Sequence, residues 1–313
     1  MKPQKELFSI YKTRVVPRLK FYFQERNSIR VKVILVACPV AITLVILLRN
    51  YLHVVKPEQL FGAAIILIAL VEAHYWSRYR KKFKREIISK CLSDAFPNFK
   101  YKVKGDLILS EFKNTGLVNS SVNIFHCEDQ LTGEIEKTDF KISEVLAQYK
   151  SSGKNKSTRT IFRGFILELD FNKHFKSHTV ITPDFAVSFF GEWFGEKLNN
   201  ITIGKLKKVK LENTSFEKKF TVVTSDQQEA RYLLSPKLME RIMKMRKRNP
   251  SIRLSFYKKR LYITFSQNKN FFEPRRWGHI FPLKDLWEIN RVILSIPKLV
   301  ETLDLNTRIW TKE

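Results

Sequence analysis

Two closely spaced apolar runs, residues 31–48 and 60–76, dominate the hydrophobic pattern near the start of the chain. The first holds Val33, Ile34, Leu35, Val36, Leu44, Val45, Ile46, Leu47 and Leu48, with Thr43 as its polar interruption. As a helix it would reach about 27 Å, close to the thickness of a bilayer core. The second is apolar from Leu60 to Val71 and then reads Glu72, Ala73, His74, Tyr75 and Trp76, an amphipathic end whose aromatics suit an interfacial belt. Helices of a soluble core seldom lack a polar face for so long. The pattern therefore predicts a transmembrane helical hairpin, about 31–49 and 60–77. Pro39 predicts a kink in the first helix, and Gly62, Ala63 and Ala64 would let the two helices approach closely. Lys32 and Glu72 fall toward the same side and could pair.

Flanking charge sets the expected orientation. Lys2, Lys5, Lys12, Arg14, Arg18, Lys20, Arg26 and Arg30 precede the first run; Arg78, Arg80, Lys81, Lys82, Lys84 and Arg85 follow the second; the connecting segment has only Lys56 against Glu58. Both termini are expected on the cytoplasmic side of the inner membrane, in a multi-pass arrangement. The long basic stretch ahead of the first run, and Arg49 after it, argue against a cleaved signal peptide. Within residues 1–30, Leu7, Phe8, Tyr11, Val15, Leu19, Tyr22 and Phe23 recur at helical spacing, interrupted by Pro17. This basic amphipathic segment fits either the membrane interface or a protein surface.

Beyond the runs, residues 78–313 read as a mainly antiparallel α+β domain, in two parts near 86–205 and 206–313. A helix is expected over 85–96, closed by Pro97. Strands are expected over 107–112, 121–127, 134–140, 162–171 and 179–182, with a turn at Asp129–Gly133. The string SSGKNKSTRT, 151–160, reads as an exposed loop and the best protease site in the domain. A strand over 220–225, helices over 227–234 and 236–248, a hairpin of 252–257 and 261–266, and a long helix over 283–305 bent at Pro297 complete the pattern. That last helix has the apolar stripe Leu286, Ile289, Ile293, Ile296, Val300 and Leu303.

Several strings resemble the core of a bacterial domain-of-unknown-function family, number 3137. They are Phe216-Glu217-Lys-Lys-Phe220, then Asp226 through Glu229-Ala230-Arg231-Tyr232 to Pro236, with Phe162-Arg-Gly-Phe165, Leu254-Ser-Phe256, Leu261-Tyr-Ile263 and Phe272-Glu-Pro274. The resemblance begins at Glu25-Arg26. It implies a membrane-anchored protein of uncharacterised activity and a LemA-type membrane partner. One departure is His178 where glycine would be expected before Thr179. Phe216 and Phe220 are expected to bury one face, Pro236 to open a helix, and Arg231 to pair with Glu229 or Glu217.

Formal net charge is +27, divided as +13 over residues 1–85 and +14 over the rest. Basic residues beside an anionic leaflet each contribute on the order of 1 kcal/mol. Arg78, Arg80, Lys81, Lys82, Lys84 and Arg85 are accordingly the expected membrane-surface site, and the partner class is a bilayer with anionic headgroups. The basic helix 236–248, with Met239, Met243 and Met245, offers a second cationic face, although no nucleic-acid motif accompanies it. Three cysteines, Cys38, Cys91 and Cys127, form no metal-site spacing and suit a reducing compartment. With ten glycines there is neither GxGxxG nor GxxxxGK[ST], and GxSxG is absent too. Asp170, His174 and His178 are spaced four apart, but on a strand and loop they do not converge, and in His126-Cys127-Glu128-Asp129 neighbours point to opposite faces. No catalytic, cofactor or metal residue is predicted. The expected function is a binding or scaffolding module at the inner membrane, with a tethered enzyme as the alternative and an anionic-lipid or nucleic-acid binder as the second.

Overall fold

The computed structural model describes residues 4–51, 57–118, 121–152, 156–171, 175–183, 202–203, 206–268 and 270–303. Helical structure runs unbroken through α1 (Gln4–Ile10), α2 (Val16–Lys32) and α3 (Cys38–Tyr51), joined by π-turns at Tyr11–Val15 and Val33–Ala37. Each π-turn lies just ahead of a proline, Pro17 or Pro39. A prolyl ring clashes with the carbonyl four residues back, here Thr13 or Leu35, and both carbonyls fall inside the widened turns. The helix therefore continues through the expected kink and interruption.

Lys5–Leu47 is, among the described residues, the one helix long and apolar enough to cross a membrane; its most apolar window has mean hydropathy 2.3 and is 18% buried. Helix α4 (Pro57–Phe83) carries the second run and packs against α3. The second span of the expected hairpin is not shown among the described residues. A third π-turn (Lys84–Ile88) leads into α5 (Ser89–Ala95), where Ile87, Ile88, Cys91, Leu92 and Ala95 are buried and Phe96 is half-buried, and α5 packs on α1.

The chain divides into two compact units, Met1–Pro97 with Phe271–Asn290, and Asn98–Asn270 with Arg291–Glu313. The second holds an antiparallel sheet in the order β1-β2-β3-β4-β10-β9-β5-β8-β7-β6. Its elements in chain order are β1 (Lys100–Lys104), α6 (Leu109–Asn114), β2 (Ile124–Ile135), β3 (Thr138–Lys150), β4 (Thr158–Asp170), β5 (Thr179–Pro183), β6 (Thr202–Ile203), β7 (Leu206–Lys208), α7 (Thr214–Glu217), β8 (Phe220–Thr224), α8 (Gln227–Leu233), α9 (Pro236–Arg248), β9 (Arg253–Tyr257) and β10 (Arg260–Ser266). Strands from before and after residue 206 thus share one sheet. Helix α10 (Leu283–Leu303) runs through Pro297 with its whole predicted stripe buried; residues 304–305 of the expected helix lie outside the described residues. Edge strand β1 is short and alternates lysine outward, which blunts its pairing edge.

Three expectations in the sheet fail for local reasons. Residues 109–114 form α6, because Phe112 buries against Phe125 and Phe162 as one side of a helix and Glu111 supplies the first-turn acceptor beside the Ile108 N–H. Asp129–Gly133 is a β-bulge inside β2: Asp129 takes φ +53°, its carboxylate accepts from the Tyr101 hydroxyl, and the register shifts between Glu128 and Leu131. The actual turn comes later, at Glu136–Lys137, and so divides the expected 134–140 strand.

Around the predicted loop, β3 ends at Lys150 and β4 starts at Thr158, and Lys156 is exposed. Limited trypsinolysis of the folded full chain should therefore cut first at Lys156 or its loop neighbours, giving fragments that mass spectrometry places at 151–157; first cuts inside β3 or β4 would contradict this.

One face of the sheet buries Val145, Ala147, Phe162, Ile166, Val180 and Val223 under Phe112, Leu117 and Val118. On β4 the alternate residues Phe165, Leu167 and Leu169 are buried as well, so this central strand is apolar on both faces.

Candidate functional site

Residues 275–281 carry no regular hydrogen-bonded structure, so their carbonyls need donors from elsewhere. Helix α2 and the π-turn ahead of it supply them. Arg26 Nη1 donates to the carbonyls of Arg275 at 3.2 Å and Gly278 at 2.9 Å, Arg30 Nη2 to that of Arg276 at 2.8 Å, and the Tyr11 hydroxyl to that of Phe281 at 2.7 Å. Gly278 sits at φ +68°, where a side chain would be strained. Arg275 closes the loop with a bidentate pair to Asp285, 2.6 and 3.0 Å. Arg26 is 4% exposed, and its Nε has no hydrogen-bond partner. Burial, and repulsion from Arg30, lower its pKa.

Aromatics lock α2 to α4 beneath this loop. Tyr22 meets Tyr79 and Phe83 edge-on at 5.8 and 5.4 Å, the Tyr22 hydroxyl donates to Glu86 at 2.6 Å, and the Tyr79 hydroxyl donates to the Tyr22 carbonyl at 3.1 Å. Burial, reinforced at Tyr22 by Glu86, raises both phenol pKa values. The buried stripe Leu7, Val15, Tyr22 and Ile29 is thus a protein-packing face, while Phe8, Phe21 and Phe23 stay exposed. Periodicity allows either role for this segment, and its buried face packs on protein.

The predicted basic flank divides too. Arg78, Lys81 and Arg85 are exposed. Lys82 pairs with Glu25 at 3.0 Å and lies over the Phe21 ring, Arg80 is 3.4 Å from Glu273, and Lys84, 1% exposed, is 2.8 Å from the same carboxylate. Glu72 is held by Arg276 at 3.0 Å, and not by Lys32, with which it could have paired; Arg276 also lies over the Trp76 ring and Arg30 over that of Trp277. Glu25-Arg26 and Phe272-Glu273-Pro274, far apart in the sequence, therefore lie in one unit. The signal available was their charge: Glu273 on one segment and a run of cations on the other.

Beyond residue 97 the motif residues act as staples. Phe216 and Phe220 are buried and stack at 4.9 Å, and the Glu217 carboxylate accepts from the Leu211 N–H at 2.7 Å. Glu229 accepts from the N–H groups of Lys176 and Ser177, at 3.2 and 2.6 Å. Arg231 and Tyr232 are exposed, and Arg231 donates to Gln227 instead of either expected carboxylate, because both are committed to backbone donors. Ala230 is buried in α8, and Pro236 opens α9 behind Ser235, whose hydroxyl accepts from Leu238 N–H. On α9, Leu238, Met239, Ile242 and Met245 are buried and Lys244, Lys247 and Arg248 exposed, the pattern of a solvated helix with a core stripe. Cys91 is an inert thiol, pushed up to about 12 by burial and by Asp94.

His174 lies outside the described residues. His178 occupies a half-buried niche: its Nε2 is 2.9 Å from the Thr115 carbonyl and 3.0 Å from Ser255 Oγ, and its ring packs against Gly116. A carbonyl only accepts, so Nε2 bears the proton. Burial lowers the pKa of the ring, against the opposing effect of the Thr115 bond. The unfolded chain then binds the extra proton first as pH falls below about 6.5. Stability supplied by neutral His178 is complete above that pH and lost toward the lower folded value. Between pH 7.5 and 5, His178→Asn should melt with a shallower pH dependence than the unaltered chain; equal slopes would show that His178 is solvated.

Residues 160–305 match a family model described as "Protein of unknown function (DUF3137)". No curated protein matches the chain. Among solved structures the chain is similar to the mycobacterial trehalose monomycolate transport factor A, TtfA, at 8% identity, covering 69% of this chain and 93% of that one, with a TM-score of 0.35. A likeness at that level bears on neither fold nor activity.

Proposed function

We propose that the chain is a two-pass inner-membrane protein with both termini cytoplasmic, whose α+β part serves as a binding or scaffolding module at the membrane surface. The observation that carries this reading is the change in burial along the continuous α2–α3 helix and α4. Leu35 is 68% exposed, Phe61 69%, and Ile34, Ile65, Ile66 and Leu70 are exposed with them, while Tyr22, Tyr79 and Phe83 at the other end of the same helix pair are buried. A contiguous apolar surface of this kind needs lipid to cover it. With Arg30, Arg78, Lys81 and Arg85 grouped at one end, positive charge favours the cytoplasmic side there. The motif carboxylates Glu217 and Glu229 are occupied by backbone N–H groups, which favours a module over a tethered enzyme. A LemA-type membrane protein, implied by the family resemblance, is the first partner to test.

Topology is tested by labelling intact cells with a membrane-impermeant maleimide. A cysteine introduced at Lys56 should react and one at Lys247 should react only after permeabilisation; the reverse would overturn the orientation. The scaffold role is tested with photocrosslinking side chains at Arg231 and Lys247. Recovery of one membrane protein supports it, and recovery of none at either position counts against it.

A further inference from the structure

We infer that the first unit contains a binding groove for an anionic phospholipid, entered from the headgroup layer, with one acyl chain lying along α2. This deepens the membrane reading above and rests on it. The groove has a volume of about 970 Å³ and is formed within one compact unit between the Tyr11–Arg26 stretch of helix and residues 278–281. That volume is at the upper end of the roughly 300–1,000 Å³ typical of ligand pockets. Val16, Leu19, Phe23, Ile280 and Phe281 give it apolar walls.

Three observations select the occupant. First, the charge is of one sign: Lys20 and Arg26 line the groove and, among the described residues, no carboxylate does. Second, Arg26 is almost wholly buried, yet its Nε lacks a partner, and its guanidinium meets two neutral carbonyls and the face of Phe23 at 5.0 Å but, among the described residues, no carboxylate. An anion at the groove wall would supply the missing counter-charge, at charge-assisted strength. Third, the groove is continuous with the apolar helix. Arg26 precedes Val31 by five residues, about 7–8 Å of helix, which is the depth of a headgroup layer. At that end Trp277, 75% exposed, stacks under Arg30 at 4.2 Å, an aromatic and cationic rim of the kind that settles at a bilayer interface. From there the lining helix runs a further ~22 Å to Tyr11, a track for the acyl chain of a lipid whose headgroup stays at Arg26.

The test uses the full chain in nanodiscs of phosphatidylcholine and phosphatidylglycerol, doped with phosphatidylglycerol carrying a diazirine at the end of one acyl chain. After irradiation, adducts are mapped by peptide mass spectrometry. Adducts are expected on residues 16–24 and 278–281 as well as on the apolar helices. Leu19→Trp, and independently the more exposed Val16→Trp, should fill the groove and reduce its adducts at least tenfold while leaving those on 34–47 and 61–70 unchanged. The same probe on a phosphatidylcholine headgroup should label the groove several-fold less. Adducts confined to 34–47 and 61–70, equal labelling by the two headgroups, or a co-purifying peptide crosslinked in the groove would each overturn the inference. Loss of adducts from the apolar helices as well would instead sink the membrane reading on which it rests.

Discussion

Gly164→Ala is expected to cost about 3–5 kcal/mol of folding stability, the sum of backbone strain and overpacking. Gly164 sits in β4 at φ +152°, and an added Cβ would lie 2.0 Å from the carbonyl oxygen of Phe265. That neighbour is backbone, in strand β10, where Gly164 faces Ser266 and Phe265 faces Phe165. It cannot rotate away as a side chain would, so either the strand shifts or the β4–β10 ladder opens. β4 is paired on both sides and buried on both faces, and its other neighbour opposite Gly164 is Val145, which is fully buried. The resemblance string Phe162-Arg-Gly-Phe165 thereby acquires a physical reason for its glycine. Denaturant unfolding of the full chain followed by circular dichroism measures the loss. Gly62→Ala is the control: nothing lies within 4 Å of its added methyl, and in a helix alanine is favoured by roughly 0.5–1 kcal/mol. A loss at Gly164 no larger than at Gly62 would mean that β4 and β10 do not meet in this register.

Glu273→Ala should be nearly as damaging, on the order of 3–5 kcal/mol, because it leaves a buried ammonium without its carboxylate. Lys84 is 2.8 Å from Glu273, and Arg80 approaches the same group at 3.4 Å. The alteration removes one acid and unsettles two cations, on a segment that Phe83 and Phe281, 5.9 Å apart, hold by aromatic contact. Hydrogen exchange should show protection falling across 79–92 and 271–281. The double variant Lys84→Met with Glu273→Gln should recover most of the stability, since a buried pair replaced by apolar or neutral groups is often close to neutral. Equal loss in the single and double variants would show that packing, and not the charge pair, holds the segment.

What the sequence by itself determined is whatever depends on neighbours a few residues away. Helix periodicity placed α9 and α10 with their buried stripes, alternation placed β4, β8, β9 and β10, and the apolar run marked the helix that is long enough to cross a membrane. Local patterns also misled where a distant contact overrides propensity: Phe112 packs as a helix residue because Phe125 and Phe162 receive it, and Asp129 bulges where Tyr101 holds its carboxylate. Only the tertiary structure decided which cations face solvent. Arg78, Arg80, Lys81, Lys82, Lys84 and Arg85 are equivalent as a basic run, yet Lys84 is buried because Glu273, far along the chain, reaches it. Arg26 and Arg30 likewise gain their roles from carbonyls about 250 residues away. Periodicity encodes which face of an element is apolar. Which distant segment meets that face is decided by closing long loops around a core, and no pattern within either segment records the choice.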